Sequence, residues 1–236
     1  SMWLRGTLAL AAGIGFSFGL APFDWWPSLI GSILLLQWLL HGVSVRQGLA
    51  VFYAYGVGFY AVGISWVYVS IHEHGGASVL LAGLVVLLFV LAMALFFLAQ
   101  GYIYLRFFRQ SIWGLTLGFS AIWVLREWLL TWFLTGFPWL FAGYGFLDTW
   151  LAGYAPVLGV LGVSYMALLQ TSLLGCALAL LLSRREVSVP VLLAAALVPV
   201  IWLGGWLLEQ TRFVEPQGGS LTVSAVQGNV DQHSKW

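Results

Sequence analysis

The sequence predicts an all-α polytopic membrane bundle of about seven transmembrane helices, followed by the first β-strand of a further domain. Three observations carry this. Hydrophobic residues make up 61% of the 236-residue chain and charged residues 7%, against roughly 25% charged in an ordinary soluble domain. So few charges cannot cover a water-facing surface, and the chain is read as an integral membrane protein. Apolar runs recur along it at 5–21, 27–40, 48–70, 77–105, 112–133, 159–182 and 190–208. The end, LTVSAVQGNVDQHSKW from Leu221 to Trp236, has a different pattern: Leu221, Val223 and Ala225 alternate with Thr222 and Ser224 before a turn signal at Gly228-Asn229. That is the period of a half-buried strand.

Each run is expected to be helical, because the bilayer core offers no water to unpaired backbone groups. A crossing needs about 20 residues, so run 27–40 is short and run 77–105 long. Arg5 ahead of the first run suggests a signal peptide, but another apolar run follows at once, and the segment is read as a retained span. It pairs with the second run as a tight hairpin at Pro22 to Pro27. Gly15-x-x-x-Gly19 and Gly114-x-x-x-Gly118 offer close helix approach, a weak signal with 28 glycines in the chain.

Arginines give the orientation. Arg5, Arg46, Arg106, Arg109, Arg184 and Arg185 flank alternate ends of the runs, whereas the other connections carry Asp24, Glu73 and Asp148. The positive-inside rule then places the N-terminus in the cytoplasm and everything after 208 on the far side. The domain reading is a transmembrane domain over 1–208, a linker over 209–220 with Pro216 and Gly218-Gly219, and the opening strand of an extracytoplasmic domain over 221–236. A lone strand is unstable in water, so the rest of that domain is expected beyond Trp236.

The net charge of +1 gives no electrostatic case for a nucleic-acid partner. A single cysteine, Cys176, cannot form an intramolecular disulfide and sits in an apolar run, where an inert thiol is expected. No phosphate-binding glycine loop, Ser-His-Asp set or paired-carboxylate motif is present.

Three features face the far side. Arg126 and Glu127 lie in the fifth run, about 22 Å along a hydrocarbon core of about 30 Å. Being adjacent, they point about 100° apart, so their partners must come from other elements. Such a pair is either a polar anchor for a lipid headgroup or reacting site, or a structural clamp, and near the membrane edge the clamp is favoured. If the two form a desolvated pair, Arg126→Leu costs about 3–5 kcal/mol. Segment 135–156, with Phe137, Trp139, Tyr144 and Trp150, reads as a loop at the outer interface, either an anchoring belt or a platform for acyl chains. His72, Glu73 and His74 lack the spacing of a metal site and read as an interfacial turn.

At these residues the chain resembles the membrane domain of bacterial apolipoprotein N-acyltransferases. The resemblance runs through LAPFDWWP (20–27), GISWVYVSIHEHGG (63–76), WVLREWLLTWFLTGFPWLFAGYG (123–145), DTWLAGYAPVLGVLGVS (148–164) and SAVQGNVDQHSKW (224–236). It implies a multi-pass enzyme of the bacterial inner membrane, with a periplasmic nitrilase-like α-β-β-α sandwich. Such an enzyme moves an acyl chain from a phospholipid to a cysteine thiol, then to the α-amino group of a lipoprotein's diacylglyceryl-cysteine. This is the last step of lipoprotein maturation, and the family is expected to work without a cofactor, as a monomer among membrane lipids. The resemblance also implies a catalytic Glu, Lys and Cys in the nitrilase domain. None can be placed in this chain, Cys176 is not that nucleophile, and the chain by itself is expected to be inactive. Trp236, just past the first nitrilase strand, is expected to contact lipid during substrate access. Competing readings are the related module joined to a polyprenyl-phosphate mannosyltransferase, a transporter, and a non-catalytic membrane anchor. A transporter would spread polar residues at mid-depth through several spans, and few are present beyond Arg126, Glu127, Gln100 and Gln170.

Overall fold

The computed structural model describes residues 1–184, 189–215 and 218–230, and among these every regular element is helical. The helices are α1 (Met2–Ser17), α2 (Trp26–Leu39), α3 (Val45–Gly63), α4 (Trp66–Val69), α5 (Val79–Ile103), α6 (Phe119–Leu129), α7 (Ala155–Arg184) and α8 (Val189–Glu209). Wide π turns at Ser70–His74, Tyr104–Phe108 and Gly114–Gly118 extend α4, extend α5 and lead into α6; tight 3₁₀ turns occupy Phe133–Thr135, Ala142–Phe146 and Trp150–Tyr154.

Local chemistry sets the ends. Ser44 accepts from the Gln47 backbone N–H at 3.3 Å while Gln47 Oε1 accepts from the Ser44 N–H at 3.0 Å, a reciprocal cap that starts α3. Ser78 caps α5 one way only, its Oγ accepting from Leu81 N–H at 3.3 Å. Pro27 stands in the first turn of α2, where no N–H is needed. Gly159, at φ 66° and ψ −177°, breaks α7 one turn in, a conformation open to glycine alone.

All seven predicted apolar runs fall on helices. By length and hydropathy three helical segments are able to cross a membrane, Val79–Phe108, Trp150–Leu182 and Leu192–Glu209, and a fourth forms if Val45–Gly63 and Trp66–His74 count as one span bent by 51°. The third run is therefore a broken helix rather than a straight one, and SIHEHGG continues its second limb instead of forming an open turn. The short second run is a 14-residue helix, as expected, and α1 turns into it through Phe23 N–H to Leu20 O and Trp25 N–H to Phe18 O, both 3.0 Å.

Residues 221–230 form no strand. Leu221, Val223 and Val226 are 89%, 82% and 93% exposed, because among the described residues no neighbouring segment offers the ladder and apolar face a strand requires. Residues 231–236, including Trp236, lie outside the described residues.

The core is aromatic. Phe16, Tyr55, Phe59, Phe97, Phe119 and Trp123 are all buried, with centroids 4.7 Å apart for Phe16–Phe59 and 5.4 Å for Phe97–Trp123, the offset and edge-on spacings aromatic rings prefer. α1 and α3 approach backbone to backbone. A methyl on Gly13 would stand 2.7 Å from Phe59 N, and one on Gly58 would strike Leu10 O. This is the close packing expected of small residues in membrane helices; of the predicted glycines, Gly19, Gly114 and Gly118 are also closely packed, whereas a methyl on Gly15 would meet nothing within 4 Å.

One end of the bundle collects the arginines. Arg5 Nη1 donates to Leu39 O at 2.6 Å and His41 O at 3.0 Å, and Arg109 Nη1 donates to Val43 O at 2.7 Å. The start of α1, the α2–α3 connection and the turn after α5 thus share an end, satisfying carbonyls that the helix termini leave open. Segment 135–156 occupies the opposite end.

Candidate functional site

Segment 135–156 is held to the bundle by a buried carboxylate. Glu127 on α6 is fully buried, and its Oε1 accepts from Trp123 Nε1 at 2.9 Å and from the Ala142 backbone N–H at 2.8 Å. The next amide, Gly143 N–H, donates to Ser164 Oγ of α7 at 2.7 Å. Two consecutive backbone donors are therefore met by side chains of two different helices, which supplies the partners this irregular backbone lacks at membrane depth. At the two ends, Phe137 N–H donates to Leu130 O at 2.7 Å, and Tyr154 O–H to Ile201 O at 2.8 Å.

Arg126 takes another direction, as neighbouring helical positions must. It is 5% exposed, donates from Nη1 to the Tyr60 hydroxyl at 3.1 Å, and sets its guanidinium 4.0 Å from the Phe97 centroid, 5.0 Å from Trp123 and 5.5 Å from Phe59. Three ring faces around one cation form a strong cation–π site in a desolvated setting. No ion pair joins Arg126 to Glu127 among the described residues, and Arg126 Nε and Nη2 and Glu127 Oε2 have no hydrogen-bond partner there. The Arg-Glu dipeptide thus divides: one charge serves the aromatic core, the other the loop.

The loop itself is strained. Leu134, Thr135 and Leu140 have φ of 48°, 75° and 64°, a left-handed region that costs non-glycine residues, and a β-branched Thr most of all. Such outliers persist only where surroundings over-determine them, and they gather at working sites. Leu134 is 82% exposed despite its apolar side chain.

The predicted aromatic residues make three separate sets of ring contacts. Phe137 stacks on Trp139 at 5.3 Å and meets Phe89 edge-on at 5.3 Å, while Trp139 lies 5.6 Å from Trp66. Trp150 meets Trp202 of α8 at 6.4 Å, and Trp202 also touches Trp26. Tyr144 lies parallel to Phe141 at 5.7 Å. Trp139, Tyr144 and Trp150 keep 46%, 42% and 52% of their surface exposed, so each presents a free amphipathic face. Trp66, Trp26, Trp202 and Ser164 complete the site and were not singled out by sequence. Trp26, Trp66 and Ser164 do lie within the family-like stretches, the only available signal for them; Trp202 carried none that pointed to this loop. His72 is occupied, with Nδ1 2.7 Å from Ala77 O and its ring 5.4 Å from Tyr68. Cys176 is half-buried on α7, next to Gly175, which packs against Gln37, and stands away from the loop.

Comparison with known proteins bears on this arrangement. Residues 12–173 match the family model described as the apolipoprotein N-acyltransferase N-terminal domain. Curated relatives with the name apolipoprotein N-acyltransferase include those of Pseudomonas syringae pv. tomato, 45% identical, Azotobacter vinelandii, 43%, and Coxiella burnetii, 38%. Each alignment covers 99% of this chain but 46%, 45% and 47% of the respective relative. The chain therefore spans about half the length of the curated relatives it matches.

Proposed function

Because the chain belongs to the apolipoprotein N-acyltransferase family, we propose that it forms the membrane part of an enzyme that N-acylates lipoproteins. In the proposed reaction a cysteine thiolate attacks the acyl ester of a phospholipid, the ester C–O bond breaks, and a lysophospholipid leaves with the proton. The α-amino group of the lipoprotein's diacylglyceryl-cysteine then attacks the thioester, forming the amide and freeing the thiol. The observation that carries this reading is identity of 38–45% over 99% of the chain with enzymes of that name. Cys176 is not the reacting thiol: it is half-buried inside α7 among apolar neighbours, away from the loop.

In this reading the seven apolar helices each cross the bilayer, with the arginine-bearing end in the cytoplasm and the loop end in the periplasm of the inner membrane. Residues 221–236 open a nitrilase-like domain seated on segment 135–156. Leu221 to Ala225 gain their ladder there, and Trp139, Tyr144 and Trp150 turn their free faces to the acyl chains between domain and membrane. Trp236 follows the strand at the position where α/β domains place ligand sites, so its ring meets the arriving lipid.

The test uses the full-length protein in lipid, with acyl-enzyme and N-acylated lipoprotein measured separately. Trp236→Ala is expected to form the thioester while product falls at least tenfold. Equal loss of both with a lower melting temperature would make Trp236 a core residue. Absence of any thioester in the unmodified protein given phospholipid would contradict the function itself.

A further inference from the structure

The arginine-bearing end holds a feature that acyl transfer at the loop end does not use. A cleft of about 370 Å³ opens between the α2–α3 connection and the turn after α5, with Leu40, Val43 and Leu105 among its walls and His41, Tyr104 and Arg109 among its polar groups. Tyr104 is 3% exposed and gripped edge-on by Phe52 at 6.1 Å and Phe119 at 5.2 Å. Its hydroxyl nonetheless has no hydrogen-bond partner among the described residues and is not sealed from solvent, so the space it opens onto is the cleft. A buried phenol usually finds a partner; here the unused donor points to a ligand.

Arg109 supplies the charge. Nη1 is engaged with Val43 O at 2.7 Å, which fixes the guanidinium at the cleft, while Nε and Nη2 have no partner among the described residues. A planar guanidinium held at one nitrogen presents its remaining N–H groups in the fork that suits phosphate oxygens. Arg5, Arg46 and Arg106 add positive charge at the same end, and among the described residues no Asp or Glu lies on these connections. The ligand is thus an anion whose oxygens accept from a phenol and a guanidinium and whose remainder tolerates leucine and valine.

We propose that this cleft binds the phosphate of an anionic glycerophospholipid from the leaflet at the arginine-bearing end. Tyr104 O–H and Arg109 N–H donate to the phosphate oxygens, and the glycerol and first acyl carbons lie along Leu40, Val43 and Leu105. Arg109 in the turn after α5 stands about 30 Å along the helix axis from Phe89, which touches the loop. The site is therefore distinct from any donor lipid at the loop, and its occupant is a structural lipid.

The experiment is native mass spectrometry of the full-length protein titrated with phosphatidylglycerol and, separately, phosphatidylcholine. Tyr104→Phe removes an oxygen with no partner among the described residues, so it should keep the parent melting temperature and weaken phosphatidylglycerol binding about tenfold, the size of one hydrogen bond to a charged acceptor. Arg109→Gln should weaken it about tenfold or more, as loss of a charge-assisted pair does, and phosphatidylcholine, which sets a cationic choline beside the same phosphate, should bind the parent protein more weakly than phosphatidylglycerol. Parent-like phosphatidylglycerol binding by Tyr104→Phe overturns the proposal even if Arg109→Gln does not fold. Displacement of the lipid by millimolar inorganic phosphate would assign the cleft to a soluble anion and overturn the lipid. Thioester formation should be unchanged in Tyr104→Phe, so loss of lipid here and loss of acyl transfer are read out independently.

Discussion

The two ends of the bundle solve the same problem in opposite ways. Backbone groups at helix termini and loops must be paired where water is scarce. At one end long arginines reach outward and donate to carbonyls of short connections, Arg5 to Leu39 and His41 and Arg109 to Val43. At the other, a buried acceptor reaches to amides of a long loop, Glu127 to Ala142 and Ser164 to Gly143. Arginines that stay partly exposed, as Arg5 and Arg109 do, can be exchanged at smaller cost, since the carbonyls they cover can also meet water and headgroups. A buried carboxylate holding an amide cannot, because its loss leaves donors stranded. The difference teaches where shape is enforced: the loop end is over-determined and strained, and the arginine end is adaptable.

The largest test of that contrast is Glu127→Leu. It strands Trp123 Nε1 and Ala142 N–H at about 1–3 kcal/mol each, so a loss of about 3–5 kcal/mol in unfolding free energy is expected, with release of segment 135–156 to protease. Glu127→Gln keeps an acceptor and should cost about 1 kcal/mol. Equal losses in the two variants would mean the charge, not the acceptor geometry, holds the loop.

Next comes Arg126→Leu. Had Arg126 and Glu127 paired, about 3–5 kcal/mol would be expected. Since they do not, the cost is the cation–π site and one hydrogen bond, offset by removing two unpartnered buried nitrogens, and a loss of about 1–2 kcal/mol is expected. A loss as large as that of Glu127→Leu in denaturant titration would restore the paired view. A normally folded Arg126→Leu that forms no thioester would move the residue into the reacting site.

Smallest is Cys176→Ala, expected within about 1 kcal/mol of the parent because the thiol is only half-buried and small. Acyl transfer should be unchanged. An acyl group found on Cys176 by mass spectrometry of digested enzyme would overturn the assignment of the thiol.

Much of the fold is legible in sequence because a membrane permits so few backbone solutions. The seven apolar runs all become helices, the second short and the fourth long, and Arg5, Arg46, Arg106 and Arg109 share one end. The breaks are not legible. Gly159 and the bend between Gly63 and Trp66 lie in stretches whose hydropathy continues unbroken, and 28 glycines hide the two, Gly13 and Gly58, that carry the α1–α3 approach. The alternation at Leu221 to Ala225 predicts a strand, but among the described residues the segment forms none and is exposed. For the site, the 100° divergence of Arg126 and Glu127 foretells separate partners, but not that one of them is the amide of Ala142, fifteen residues on. That contact depends on a loop path no periodicity encodes. The contacts that join Trp139 to Trp66 and Trp150 to Trp202 are not legible either.

The most direct measurement is the accessibility of the two ends in intact cells. Cysteines are introduced at Asp148, in the loop, and at Arg46, at the start of α3, and treated with a membrane-impermeant maleimide before and after permeabilisation. The account predicts that Asp148→Cys is labelled from outside in intact spheroplasts and that Arg46→Cys is labelled only once the membrane is opened. Labelling of Arg46→Cys from outside, with Asp148→Cys protected until permeabilisation, would contradict it.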